Sequence, residues 1–254
     1  MPLPSPVALV TGGARRIGHA IVEDLGAHGW AVAIHCNHSR NEAEALAATI
    51  RKNGGRAEVV TGDLADPACP ARVVGDAAAA LGPLTLLVNN ASIFEADAVG
   101  SLDRTLWDRQ MAINLSAPVF LAEAFARQLP DGVEGNVINL LDQSIWRPTP
   151  RNYSYQITKA ALATATETLA EALAPRVRVN GIAPGATLPN ARQSEEGFRR
   201  LVGTVPLRRA PDLTEFGRTI RYIVETRSIT GQVIALDGGQ HLGWPGPDTA
   251  QGHD

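Results

Sequence analysis

The chain has 254 residues, 44% of them hydrophobic and 19% charged, enough apolar material to close one large α/β core. A formal net charge of −3 gives no general pull toward nucleic acid or an anionic membrane, so any anion site must be local and the expected partner is a small molecule. Cys36 and Cys69 form no Cys-x-x-Cys pair, no histidines cluster at ligand spacing, and no stretch approaches the roughly 20 apolar residues of a membrane span, so the expectation is a cytoplasmic protein with neither disulfide nor metal.

The first element is a short β-branched run, 7–11, followed by Gly12-Gly13; it reads as a buried strand feeding a tight turn, with a helix from about Arg16. The alternation then repeats. Strands are predicted at 30–36, 57–61 and 84–89, separated by helices at 41–52 and 67–81. A long helical region covers 102–129, followed by a strand at 136–141, a helix at 152–173 and strands at 177–180 and 232–236. Strands separated by helices of this length need crossover connections, which produce a parallel sheet covered on both faces. No interior linker divides the chain, so 1–254 is expected to be one domain with mobile tails at 1–5 and 245–254. Residues 186–211 show no clear period and are expected to form a loop with a short helix over the substrate.

The turn Thr11-Gly-Gly-Ala-Arg-Arg-Ile-Gly18 lies between the first strand and the first helix. Glycine there lets backbone approach a diphosphate, and the helix N-terminus offers unpaired N–H groups and partial positive charge. Thr11, Gly12, Arg16, Ile17 and Gly18 are therefore candidate cofactor contacts. An NAD-selecting site places an acidic residue about 20 residues past the turn to hold the adenosine ribose. None stands there; His38, Ser39 and Arg40 follow the second strand and could bind a 2′-phosphate, which favours NADPH. Further along, Tyr155 and Lys159 lie at i and i+4, on one helix face. A lysine cation beside a phenol whose ordinary pKa is about 10 is expected to favour the phenolate and make Tyr155 a general acid.

Taken in order, these residues resemble the short-chain dehydrogenase/reductase family. The chain keeps Thr11, Gly12 and Gly18 of the family's Thr-Gly-x-x-x-Gly-x-Gly turn, with Arg16 replacing the middle glycine. It also has Asp63-Leu64 at the adenine-contacting position, Asn89-Asn90-Ala91 with Ser92 in place of a final glycine, Asn114, the Tyr155/Lys159 pair and Pro184-Gly185. The resemblance spans about 7–244 and implies a single doubly wound, Rossmann-type α/β fold, with seven parallel strands and helices on both faces. The family usually has serine 13 positions before the tyrosine; here that residue is Asp142, and Ser144 lies two positions later.

With Arg16, Asp142 and Ser92-Ile-Phe94 together, the chain looks like the pteridine reductase branch, whose bacterial members include dihydromonapterin reductases. That branch implies reduction of a dihydropteridine (dihydromonapterin, dihydrobiopterin or dihydrofolate) by hydride transfer to a ring carbon and protonation of the adjacent nitrogen. By resemblance, Phe94 would sandwich the pterin against the nicotinamide, Arg16 and Ser92 would bond substrate and cofactor, and Asp142 would pass protons through Tyr155. Asn114 would join Tyr155, Lys159 and Asp142 in the catalytic set. Asp63, Leu64, Asn89, Ala91, Ser92, Lys159, Pro184 and Gly185 would join the turn in holding NADPH. A homotetramer packed through 115–128 and 152–173 is implied as well. Two other functions stay open: a short-chain carbonyl reductase acting on 3-oxoacyl, sugar or other ketones, and a catalytically idle NADPH-binding regulator.

Overall fold

The structure, a computed structural model, describes residues 6–189 and 194–243. Seven parallel strands form one sheet: β1 (Val7–Val10), β2 (Ala31–Cys36), β3 (Arg56–Thr61), β4 (Leu86–Asn89), β5 (Gly135–Leu140), β6 (Val177–Pro184) and β7 (Val233–Leu236). Their order is β3-β2-β1-β4-β5-β6-β7. The sheet grows one way from β1 and the other way from β4, so the loops leaving these two neighbours diverge and open a crevice at the carboxyl edge, where ligands bind in folds of this kind.

The helices are α1 (Arg16–Ala27), α2 (Arg40–Lys52), α3 (Cys69–Leu81), α4 (Arg104–Met111), α5 (Ala117–Gln128), α6 (Tyr153–Leu173), α7 (Glu195–Thr204) and α8 (Leu213–Glu225). Successive strand residues point to opposite faces, and both faces are covered. Leu9, Ala33, Leu87 and Val137 pack with α3 and α5, while Ala8, Val10, Val32, Ile34 and Val88 pack with α1, α2 and α8. Fully buried Phe125 of α5 and Phe216 of α8 anchor the two layers, each such ring contributing about 1.5–3 kcal/mol by leaving water. Gly217 lets α8 close on α1, and Arg221 then reaches Asp24 at 2.8 Å.

Three elements differ from the sequence expectation. The helical region predicted at 102–129 is α4 and α5 joined by a π-helical turn, Ala112–Ser116, that contains Asn114. β6 runs on to Pro184 instead of stopping at Asn180; the amide of Asn180 is buried, donating to the Ile229 carbonyl and accepting the Gln232 N–H, so the polar residue does not end the strand. α8 was not anticipated at all, although Asp212 and Glu215 form a reciprocal capping box at its start. Within the 186–211 loop the expected short helix is α7. The mobile tails expected at 1–5 and 245–254 lie outside the described residues. Among the described residues no helix is long and apolar enough to cross a membrane, and no group of three His, Cys, Asp or Glu side chains is placed to hold a metal ion.

Candidate active site

Two adjoining cavities occupy the crevice. One of about 510 Å³ is lined by the turn after β1, the ends of β2 and β3, and the segment after β4. The other, of about 810 Å³, lies over the ends of β5 and β6 beneath α7. Arg16, Ile17, Asn90, Ser92, Phe94 and Tyr155 line both, so the two form one cleft.

The turn is built for close approach. Gly12 has φ +60, in the left-handed region open to glycine, and a Cβ on Gly18 would lie 2.3 Å from the Gly12 carbonyl oxygen. The residue before α1, Arg15, is extended and no side chain caps the helix, whose first residues, Arg16 to Gly18, line the first cavity. Arg16 also stands in the left-handed region, φ +57, where the family pattern has glycine. Its guanidinium donates to the carbonyls of Pro189 (3.1 Å) and Leu188 (3.4 Å), clasping the segment after β6 to the turn.

Not every predicted cofactor contact faces the cleft. Thr11 is buried: its hydroxyl donates to the Val88 carbonyl and accepts the N–H groups of Asn90 and Ala91, so it shapes the turn from behind. Asn89 is turned into the core, donating to Pro118 O and Asn139 Oδ1. Its neighbour Asn90 takes the cleft position, with Nδ2 on the carbonyls of Thr11 and Gly12. His38, Ser39, Asp63, Leu64 and Ala91 line the first cavity, and Lys159, Pro184 and Gly185 the second. Arg40 lines neither; it opens α2 and lies 3.8 Å from Glu44. Arg15, His35, Asn37 and Arg109 line the first cavity without having been singled out in the sequence. An Ala65 N–H bond, together with Arg109 3.6 Å away, holds the Asp63 carboxyl below its ordinary value.

At the junction, the Tyr155 hydroxyl donates to Asp142 Oδ2 at 3.0 Å, while Asp142 Oδ1 accepts the Ser144 N–H at 2.8 Å. Asp142 thus occupies the place of the family serine. The Ser144 hydroxyl is buried and has no hydrogen-bond partner among the described residues. The Phe94 ring meets Tyr155 edge-on at 4.7 Å. Lys159 Nζ donates to the Leu140 carbonyl at 2.7 Å and lies 5.6 Å from the centre of the Tyr155 ring.

These positions correct the expectation that lysine draws Tyr155 toward phenolate. Burial, followed by the charge and hydrogen bond of Asp142, raises the phenol well above its ordinary value, so Tyr155 keeps its proton. Burial lowers Lys159 to about 8, against the opposing pull of Asp142. Asn114, expected in the catalytic set, lies in the π-helical turn behind Ser92 and Ile93. It is buried, with Oδ1 accepting from Ser92 Oγ and Ile93 N, and Nδ2 donating to Ile93 O and Thr158 Oγ1.

The fold and this site define an oxidoreductase of the nucleotide-binding α/β class, and the chain belongs to the short chain dehydrogenase family, which it matches over residues 6–198. Among solved structures, it is 56% identical to the FolM alternative dihydrofolate reductase 1 of Brucella canis, complexed with NADP, with a TM-score of 0.92 and 96% of each chain covered. The Brucella suis counterpart, also in complex with NADP, is 57% identical with the same TM-score, over 96% of this chain and 98% of that one. A 3-oxoacyl-[acyl-carrier-protein] reductase of Staphylococcus epidermidis is 28% identical, over 92% of this chain and 98% of its own length.

Proposed function

We propose that the chain is an NADPH-dependent reductase of dihydropteridines, delivering hydride to a ring carbon and a proton, through Tyr155, to the adjacent nitrogen. The observation that carries the proposal is the bond from the Tyr155 hydroxyl to Asp142. A serine behind the tyrosine can only share hydrogen bonds, whereas a carboxylate can also take up and pass on a proton. A pterin also presents neighbouring N–H donors that suit a carboxylate acceptor.

The first cavity fits NADPH on this chain's own features. The close-packed turn and the open N-terminus of α1 suit a diphosphate, Leu64 and Ile113 offer an apolar wall, and no carboxylate ends β2. His38, Ser39 and Arg15 would hold the 2′-phosphate. Bound NADPH supplies the hydride. Phe94 and Arg16 would frame the flat substrate, Ser92 would bond both partners at the junction, and Tyr155 would hold its proton at the hydroxyl until the ring nitrogen takes it. The likeness to the Brucella reductases supports the same reading.

The assay is NADPH oxidation with dihydromonapterin, dihydrobiopterin, dihydrofolate and a panel of ketones. Turnover of at least one pterin is expected; ketone activity with every pterin inert would assign the chain to carbonyl reduction. A homotetramer through α5 and α6 belongs to the same proposal, supported by the exposed Phe120 and Ile157 on those helices. Light scattering would test it, and a monomer would refute it.

A further inference from the structure

β2 places two buried titratable side chains, His35 and Cys36, against the cofactor cleft that take no part in the proposed proton chemistry, and His35 is the one hydrogen-bonded to both flanking loops. His35 Nδ1 accepts the Gly12 N–H at 3.3 Å. An accepting Nδ1 carries no proton, so the ring hydrogen is on Nε2, which donates to the Gly62 carbonyl at 3.1 Å. The main chain adds a third link, Gly13 N to His35 O at 2.9 Å. Burial lowers the imidazole to about 4, opposed by the Gly62 bond, with Arg72 adding to the fall and Asp63 resisting it. The ring is therefore neutral at ordinary pH, as the Gly12 bond requires.

Gly12 belongs to the phosphate-binding turn, and Gly62 precedes Asp63 and Leu64 in the opposite wall of the first cavity. We propose that His35 is a positioning residue for the cofactor: its neutral imidazole braces the turn after β1 against the loop after β3 and so sets the spacing between the two walls that hold the dinucleotide. The inference rests on the cofactor half of the proposed function and is independent of which substrate is reduced.

The two ring nitrogens can be tested separately. In His35→Asn the amide oxygen stands near Nδ1 and keeps the acceptor for Gly12; in His35→Gln the amide nitrogen stands near Nε2 and keeps the donor to Gly62. His35→Leu keeps volume and neither bond. NADPH affinity of the full chain, read from the fluorescence of the bound cofactor, is expected to weaken about tenfold in the Leu variant and about threefold in each of the others, as whole and half losses of the brace. Reduced nicotinamide mononucleotide, which lacks the adenosine and so does not reach the wall of Asp63 and Leu64, should lose less than about twofold in every variant, because it does not bridge the walls. Equal weakening of fragment and dinucleotide overturns the brace, as does unchanged NADPH affinity in variants that melt like the wild type. If the Leu variant does not fold, the Asn and Gln variants carry the same comparison. A wild-type chain that binds no NADPH overturns the cofactor reading, and the brace with it; pterin inactivity with NADPH bound leaves the brace standing.

Discussion

Asp142→Asn separates the two roles of the carboxylate behind Tyr155. At the observed 3.0 Å, an ionised Asp142 and a phenolate would repel by about 5 kcal/mol at an effective dielectric of 20. Asp142 is only half-buried, and water screens part of that, so the net contribution is closer to the about 1.5–3 kcal/mol of a hydrogen bond to a charged group. Removing the charge should therefore bring the Tyr155 titration down by about one to two pH units. The chain has three tyrosines, so the phenolate absorbance of the variant, less that of the same chain carrying Tyr155→Phe, isolates the relevant one. The variant's phenol is a stronger acid, yet turnover of a dihydropterin should fall about ten- to thirtyfold, because an amide cannot hand a proton back to the spent tyrosine. NADPH affinity should not change. A titration that does not move would refute a contribution of Asp142, beyond that of burial, to the raised phenol pKa, and turnover within about twofold of wild type would refute the relay.

Three other perturbations test the surrounding site. Lys159 is depressed from 10.5 to about 8, so its ammonium is lost as pH rises through 8; turnover at saturating NADPH should fall above that point, and a profile flat to pH 10 would contradict this. The same depression means that between about 8 and 10.5 the unfolded chain binds more protons, so stability from this group rises through that window, and Lys159→Met should flatten the rise in urea melts. Asn114→Ala strands the Ile93 N–H and carbonyl inside the protein and should cost about 2–3 kcal/mol by denaturant titration; a loss below about 0.5 kcal/mol would show the amide to be dispensable. Arg16→Gly relieves the left-handed backbone and should raise the melting midpoint by about 2–4 °C while raising KM for the pterin through the loss of the clasp on 188–189; a lower midpoint would refute the strain.

Seven strands and most of the helices were legible because parallel strands buried on both faces leave short, near-continuous apolar runs between amphipathic helices. The parts that escaped each have a physical cause. β6 carries a buried polar residue, Asn180, whose partners Ile229 and Gln232 lie about 50 positions away and are invisible to local pattern. α8 did signal itself through the Asp212/Glu215 box, which the preceding Pro211 and arginines obscured. At the site, Tyr155 and Lys159 follow from spacing on one helix, whereas Asp142 is found only through the family resemblance, which expects serine 13 positions before the tyrosine. Of the pair Asn89-Asn90, alternation along β4 decides which side chain enters the core, and the sequence alone named the wrong one for the cleft. Arg109 had no local signal, since only the packing of α4 over the β3 loop brings it to Asp63.

The π-helical turn at Asn114 adds one residue to a helix and thereby turns a carboxamide sideways into the protein, where it joins the segment carrying Ser92 and Phe94 to Thr158, one turn along α6 from Tyr155. Phe94 also rests on the Tyr155 ring, so the plate proposed for the substrate and the proton donor share one frame. On the proposed function, little reorganisation would remain when a pterin binds, because the distance between the ring-holding surface and the acid would be set at folding rather than at binding. Preorganisation would then come from a local defect in a helix, and a substitution that restored regular α-helical winding there is expected to loosen the site while leaving every residue of the Asp142, Tyr155 and Lys159 set in the sequence.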